Sequence, residues 1–117
     1  MSDENAAFDA GAEMQESGAW RVTARGELDV ATADRLAGAL EAPVASGSSL
    51  VVLDLTDVSF LDSSGLRTIV RAATALEERG GRLIVDGVSA AVERVLEVTG
   101  LLERLRGDQP ETTGGRS

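Results

Sequence analysis

The sequence predicts an α/β domain: a mixed sheet of four or five strands that opens with an N-terminal hairpin and carries three to four flanking helices. A length of 117 residues fits one domain. Beyond the hairpin, segments of helical spacing alternate with short apolar runs, the order typical of α/β folds. Apolar residues make up 43% of the chain and aromatic ones only 3%, which indicates an aliphatic core. We expect the domain to span residues 8–106, with a flexible N-terminus over 1–7 and a flexible tail over 107–117.

The hairpin is predicted from two segments in which apolar residues recur at every second position. Residues 8–14 place apolar side chains at even numbers, and residues 16–18 form a turn signal. In the second arm, Val22 and Ala24 alternate with polar residues. We assign Trp20, at the start of this arm, to hairpin or core packing without a ligand role.

The first helix is predicted after residues 26–29. Ala33, Leu36 and Leu40 fall at helical spacing, and either Asp29 or Thr32 could cap the helix. Pro43 is expected to stop it, because proline lacks the N–H that a helix interior needs.

A central strand and the longest helix follow. Residues 50–53 form a continuous aliphatic run, which predicts a strand covered on both faces. The segment from Asp54 to Leu66 is expected to be a polar loop between this strand and the helix. After it, an apolar stripe beginning at Leu66 predicts a helix that ends at Gly80 and Gly81.

The last elements are shorter. Residues 83–85 predict another buried strand, and Ser89 could cap a third helix that Gly100 ends. Residues 101–105 fit either a strand or a helix. Crossovers between parallel strands should be right-handed.

Composition argues against several classes of protein. The chain has no cysteine and no histidine, and all 11 basic residues are arginine. It therefore lacks the usual proton shuttle, thiol nucleophile and reactive amine, and we expect no enzyme activity and no cofactor. A net charge of −9 repels phosphate backbones and anionic lipids, so neither nucleic acid nor a membrane is an expected partner. We expect the chain to be cytoplasmic.

Two functions could use the aspartate carboxylates between the central strand and the longest helix. Asp54 ends a predicted strand, as the phosphate-accepting aspartate of receiver domains does. We reject a receiver domain because the chain has no lysine and no acidic pair after its first buried strand. The enzymatic alternative is a hydrolase that uses Asp57 and Asp62, although no substrate pocket or metal-ligand set is evident.

The residues with most functional interest are Asp62, Ser63, Ser64 and Gly65. They precede the best-defined helix, where unpaired N–H groups and the positive end of the helix dipole favour an added anion. A phosphoserine would be stabilised there. Ordinary helix capping explains the same residues, and their spacing does not decide between the two readings.

At this point the sequence resembles a known family, the STAS domain of bacterial anti-sigma factor antagonists. The resemblance covers about residues 19–106 and implies the STAS fold. Its most specific part is residues 62–66, Asp-Ser-Ser-Gly-Leu, at their distance from residues 26–29, Gly-Glu-Leu-Asp. Further matching segments are Thr32 and Leu36, residues 58–61, residues 80–81 and residues 98–101.

The resemblance implies a regulator that binds an anti-sigma factor serine kinase and so frees a sigma factor to activate transcription. It implies a switch in which the kinase, supplying ATP and Mg²⁺, phosphorylates Ser63 and a serine phosphatase restores the active, unphosphorylated form. It places partner contacts at Asp29, Asp62, Ser63, Ser64 and Gly65. The alternative is a STAS adaptor subunit of a transporter or stress-signalling assembly that uses the same loop.

Arg67 departs from the family pattern, because many relatives carry a small or apolar residue at this position. It follows Ser63 by four residues on one helical face, so its guanidinium could pair with phospho-Ser63 and slow dephosphorylation. We therefore include Arg67 among the partner-binding residues. The alternative is that Arg67 is a solvated surface residue that does not pair with the phosphate.

Overall fold

The computed structural model describes residues 8–106 of the chain. The predictions of a flexible N-terminus over 1–7 and a flexible tail over 107–117 lie outside these residues. The described part is an α/β fold, as predicted.

Within residues 8–106, four strands form one mixed sheet in the order β1-β2-β3-β4. They are β1 (Phe8–Met14), β2 (Trp20–Leu28), β3 (Leu50–Leu61) and β4 (Arg82–Val88). The pair β1–β2 is antiparallel and forms the predicted hairpin, whereas β2–β3 and β3–β4 are parallel. Because β2 and β3 are parallel neighbours, their carboxyl ends lie side by side, which brings the two loops after them together.

In the part of the chain that the structure describes, four helices accompany the sheet: α1 (Ala33–Ala45), α2 (Ser63–Glu77), α3 (Ala90–Thr99) and the one-turn α4 (Leu102–Leu105). Helices α1 and α2 pack against each other, and α1 also packs on β1 and β2. The core is a single aliphatic cluster in which Leu36, Leu53, Ile69 and Leu76 are almost completely buried. Trp20 is half-buried against this cluster, as its assignment to packing predicts.

The predicted ends of α3 are confirmed. The Ser89 Oγ accepts a hydrogen bond from the Val92 N–H at 3.2 Å, and Gly100 adopts the left-handed conformation with φ +78°. Residues 101–105, which fitted either a strand or a helix, contain α4. Arg106 then forms an isolated bridge with Val85 of β4.

The prediction of a polar loop over residues 54–66 was wrong for all of them except Asp62. Strand β3 continues to Leu61, and only Asp62 separates it from α2. Pairing with β2 extends this far, with Val58 opposite Gly26 and Leu61 opposite Leu28. Thr56, Asp57 and Ser59 stay exposed while Val58 and Leu61 enter the core. Register shifts between the strands break the simple alternation.

The prediction that Pro43 stops α1 was also wrong. The helix continues to Ala45, with Pro43 buried in its last turn. Proline cannot donate to the carbonyl one turn earlier, but near the end of a helix few backbone bonds are lost and the ring can pack into the core. The Ser46 N–H bonds to the Ala42 carbonyl and its Oγ donates to Pro43 O at 2.7 Å, which closes the helix.

Candidate functional site

The candidate site lies at the carboxyl ends of β2 and β3, where α1 and α2 begin. One backbone hydrogen bond joins the two loops there: the Asp62 N–H donates to the Leu28 carbonyl at 3.2 Å. This bond places the start of α2 beside the segment that contains Asp29. The structure therefore brings together the residues that the sequence predicted to act together.

Asp62 is the N-cap of α2. Its Oδ1 accepts from the N–H groups of Ser64 at 2.9 Å and Gly65 at 3.2 Å, and its carbonyl accepts from the Leu66 N–H at 3.0 Å. The capping interpretation of this aspartate is therefore correct. It also corrects the expectation that unpaired N–H groups await an added anion, because the Asp62 carboxylate already occupies two of them.

The two serines after Asp62 differ in their surroundings. Ser63 is the first residue of α2 and is exposed, and the structure gives its hydroxyl no hydrogen bond with any residue between 8 and 106. Ser64 is half-buried, and its carbonyl accepts from the Thr68 Oγ1 at 3.1 Å. The Ser63 hydroxyl is therefore the more accessible of the two serine hydroxyls.

Asp29 organises the loop between β2 and α1. Its Oδ1 accepts from the N–H groups of Ala31 at 3.0 Å and Thr32 at 3.1 Å. The buried Thr32 hydroxyl accepts from the Asp29 N–H at 2.9 Å and donates to the Glu27 carbonyl at 2.7 Å. Of the two candidate caps for α1, Thr32 stands at the N-cap position without a side-chain cap bond, while the Asp29 carboxylate binds the preceding N–H groups.

Gly65 is the buried member of the site and Arg67 is an exposed one. A Cβ atom on Gly65 would lie 2.5 Å from Leu28 Cγ and 2.8 Å from Leu61 Cδ1, so the first turn of α2 fits against the sheet only without a side chain there. Arg67 stands one turn after Ser63. It forms no salt bridge with any residue in the described part of the chain.

Two exposed apolar side chains flank the site and were missed by the sequence analysis. Val30, directly after Asp29, is 76% exposed, and Phe60, two residues before Asp62, is 48% exposed. Exposed large apolar residues beside a candidate contact point are typical of protein interfaces. Phe60 could have been noticed as one of only two phenylalanines, in a stretch predicted to be polar.

A separate ionic cluster lies on the sheet, away from the helix tip. Arg21 of β2 contacts Asp54 of β3 at 3.0 Å and Asp86 of β4 at 3.2 Å. Partial burial tends to raise the pKa of Asp54, but hydrogen bonds from Thr56 and the charge of Arg21 outweigh it and hold the pKa below its usual value. Asp54 thus ties neighbouring strands together.

Within residues 8–106, no three acidic side chains converge in a way that could hold a metal ion. None of the helices in this range is long and apolar enough to cross a membrane.

Comparisons with known proteins agree on one family. Residues 14–112 match the STAS domain. An anti-sigma-B factor antagonist of Listeria monocytogenes is 38% identical over 76 residues, which cover 65% of this chain and 67% of that protein. The crystal structure of an anti-sigma factor antagonist from Mycobacterium paratuberculosis superposes with a TM-score of 0.75 at 28% identity, over 94% of this chain and 95% of that one. The Bacillus cell fate determinant SpoIIAA in its phosphorylated form shares the fold, with a TM-score of 0.65 at 23% identity over 80% of this chain and 85% of that one.

Proposed function

Because the chain belongs to the STAS domain family of anti-sigma factor antagonists, we propose that it binds an anti-sigma factor serine kinase and thereby frees a sigma factor to activate transcription. In this proposal the unphosphorylated form is active. The kinase, which brings ATP and Mg²⁺, switches it off by phosphorylating Ser63, and a serine phosphatase restores it. Such a cycle would run in the cytoplasm.

The observation that carries this proposal is the contrast between Ser63 and its neighbours. Ser63 offers an exposed hydroxyl at the first position of α2, whereas Ser64 is half-buried and Asp62 is committed to the cap. A kinase needs an accessible hydroxyl, and a partner fitted closely to this surface would touch the same atom. One position can therefore serve both as a contact and as a switch.

The surroundings of Ser63 favour a switch in binding over a change of fold. A phosphate adds roughly −1.5 to −2 charges at neutral pH. The N–H groups of Ser64 and Gly65 already bond to Asp62, so the phosphate would stand beside a carboxylate and remain directed toward the partner. A partner surface shaped for a neutral hydroxyl would then meet a bulky anion, and each loss of about 1.4 kcal/mol weakens binding tenfold.

The other residues at this site divide into contacts and supports. Val30 and Phe60 supply exposed apolar area beside Ser63, of the kind that anchors interfaces. Asp29 shapes the loop between β2 and α1, because its Oδ1 is hydrogen-bonded within that loop. Gly65 is buried and allows the first turn of α2 to pack against the sheet. Arg67 is placed to pair with a phosphate on Ser63 one turn away.

The test uses the full chain and each anti-sigma factor serine kinase encoded in the same genome. Incubation with ATP and Mg²⁺, followed by mass spectrometry, should place the phosphate on Ser63. Calorimetry should show Ser63→Ala bound to the kinase at every ATP level and Ser63→Asp bound at least about tenfold more weakly. The matched control, Ser64→Ala, should still be phosphorylated.

Two outcomes would contradict the proposal. Phosphate found on Ser64 alone would refute the assignment of the switch residue. Equal binding of the unphosphorylated chain and the Ser63 phosphoprotein to the same kinase would refute the switch itself, and the adaptor alternative would then be preferred.

A further inference from the structure

The groove between α1 and α2 is a second feature of this surface that the proposed switch does not use. Its volume is about 370 Å³ and its apolar lining includes Ala37, Leu40, Val44 and Ala72. The small side chains leave room for another backbone to approach closely. Neither the sequence resemblance nor the phosphorylation of Ser63 assigns a role to this groove.

The two walls of the groove carry opposite charge. Helix α1 contributes Asp34 and Glu41, helix α2 contributes Arg71, and the turn after α2 contributes Arg79. Within residues 8–106 no ion pair closer than 4.0 Å joins the two walls, although Arg79 Nη1 donates to the Val44 carbonyl at 2.9 Å. Glu41 and Arg71 are both exposed. The charges of Glu41 and Arg71, one on each wall, are therefore available to an occupant that complements both walls.

The groove is continuous with the candidate site. Both helices begin at the carboxyl ends of neighbouring parallel strands, so the end of the groove that contains Asp34 and Thr68 adjoins the helix tip. The Thr68 hydroxyl bonds to the Ser64 carbonyl at 3.1 Å, one turn from the switch serine. A partner that contacts Ser63 can extend along the groove without leaving the surface.

We propose that this groove binds an amphipathic helix of the anti-sigma factor kinase. The apolar stripe of that helix would lie on the half-buried Ala37 and Val44. Its acidic side chains would face Arg71, and its basic side chains would face Asp34 and Glu41. An amphipathic helix in a groove is a common mode of recognition, and charge on both flanks fixes its direction. The inference rests on the proposed function, because it names the part of the same partner that lies next to Ser63.

The experiment reverses the charge of each wall in the full chain. Arg71→Glu and Glu41→Arg are titrated separately into the purified kinase in the absence of ATP. Each should weaken binding about tenfold. The matched control is Arg94→Glu on α3, another exposed arginine outside the groove, which should bind within about twofold of the unmodified chain. The two reversals shift the net charge in opposite directions, so a loss shared by both cannot come from the overall field of the protein.

A second measurement identifies the occupant. Synthetic peptides covering each helix of the kinase are added to the isotope-labelled chain, and amide resonances are followed by NMR. One peptide with an apolar stripe between an acidic and a basic flank should shift the signals of Ala37, Ala45 and Ala72. Urea denaturation of each charge variant verifies that the fold is intact.

The outcomes separate this inference from the proposed function. If Ser63→Asp abolishes binding while Arg71→Glu and Glu41→Arg behave like Arg94→Glu, the groove inference is wrong and the switch stands. If Ser63→Asp binds as tightly as the unmodified chain, the proposed switch is wrong. If the charge reversals change only self-association in sedimentation experiments, the groove binds a second copy of the chain and the inference is again overturned.

Discussion

Gly65 and Leu28 are packed so closely that a single methyl group on Gly65 would lie 2.5 Å from Leu28 Cγ. Leu28 ends β2, and its carbonyl also accepts the hydrogen bond from the Asp62 N–H. Leu28 therefore fixes both the backbone that leads into α2 and how closely the first turn of α2 packs against the sheet. The position of Ser63, which lies between these two contacts, follows from them.

Gly65→Ala is expected to destabilise the domain by about 1–3 kcal/mol, because the added methyl group overpacks against buried leucines. Urea denaturation measures the change. Gly38→Ala is the matched control: Gly38 lies inside α1, and a Cβ atom there would meet nothing within 4 Å. That substitution should raise the free energy of unfolding by about 0.5–1 kcal/mol, since glycine is a poor helix former. Equal effects of the two substitutions would contradict the packing described at Gly65.

Asp62→Ala is expected to lower the free energy of unfolding by about 1 kcal/mol, because two N–H groups of α2 lose their acceptor. Asp62→Asn keeps an oxygen at the same place and should lose much less. Chemical denaturation of both variants at neutral pH is the measurement. An Asn variant as unstable as the Ala variant would show that the charge of Asp62, and not its cap, is what matters.

Asp54→Asn is expected to remove part of the acid sensitivity of the domain. The pKa of Asp54 in the folded protein lies below its usual value. The ionised carboxylate therefore stabilises the fold at pH values above the pKa of the unfolded state, and this stabilisation is lost as the pH falls through the pKa of the folded state. The contribution should be about 1 kcal/mol, because the pair with Arg21 is only partly shielded from water. Urea denaturation at pH 7 and pH 3 should show a smaller pH-dependent loss for Asp54→Asn. The prediction fails if the two proteins lose the same stability between these pH values.

Arg67→Ala is expected to speed removal of phosphate from phospho-Ser63 about two- to fivefold, corresponding to an exposed ion pair worth about 0.5–1 kcal/mol. The assay follows phosphate release from the phosphorylated chain by a generic serine phosphatase. Arg94→Ala, which removes an arginine from α3, should leave the rate unchanged. Identical rates for all three proteins would show that Arg67 is a solvated surface residue.

Sequence reasoning located most of the elements because their signals are local. Apolar spacing predicted the hairpin and α2, and the cap at Ser89 and the left-handed glycine at Gly100 predicted both ends of α3. It failed at Pro43 and over residues 54–61, where contacts with distant parts of the chain outweigh local preference. Pro43 remains helical because it is buried, and β3 continues because β2 supplies hydrogen-bonding partners as far as Leu28.

Part of the candidate site was also predicted, because its signals are local in the sequence. The run Asp-Ser-Ser-Gly at residues 62–65 is visible in the sequence, and so is Asp29. The exposure of Val30 and Phe60 was not, because apolar residues usually enter the core and only the assembled surface shows which remain outside.

The sequence by itself determined the α/β class, the helix tip with its serines and the scarcity of groups for catalysis, since each depends on residue type and spacing along the chain. Only the tertiary structure decided that Asp62 already occupies the N–H groups of α2, that Ser63 is more exposed than Ser64, and that two charged walls face a groove beside them. These depend on distances between segments far apart in sequence, which are set when parallel strands pair and their helices pack on the same sheet.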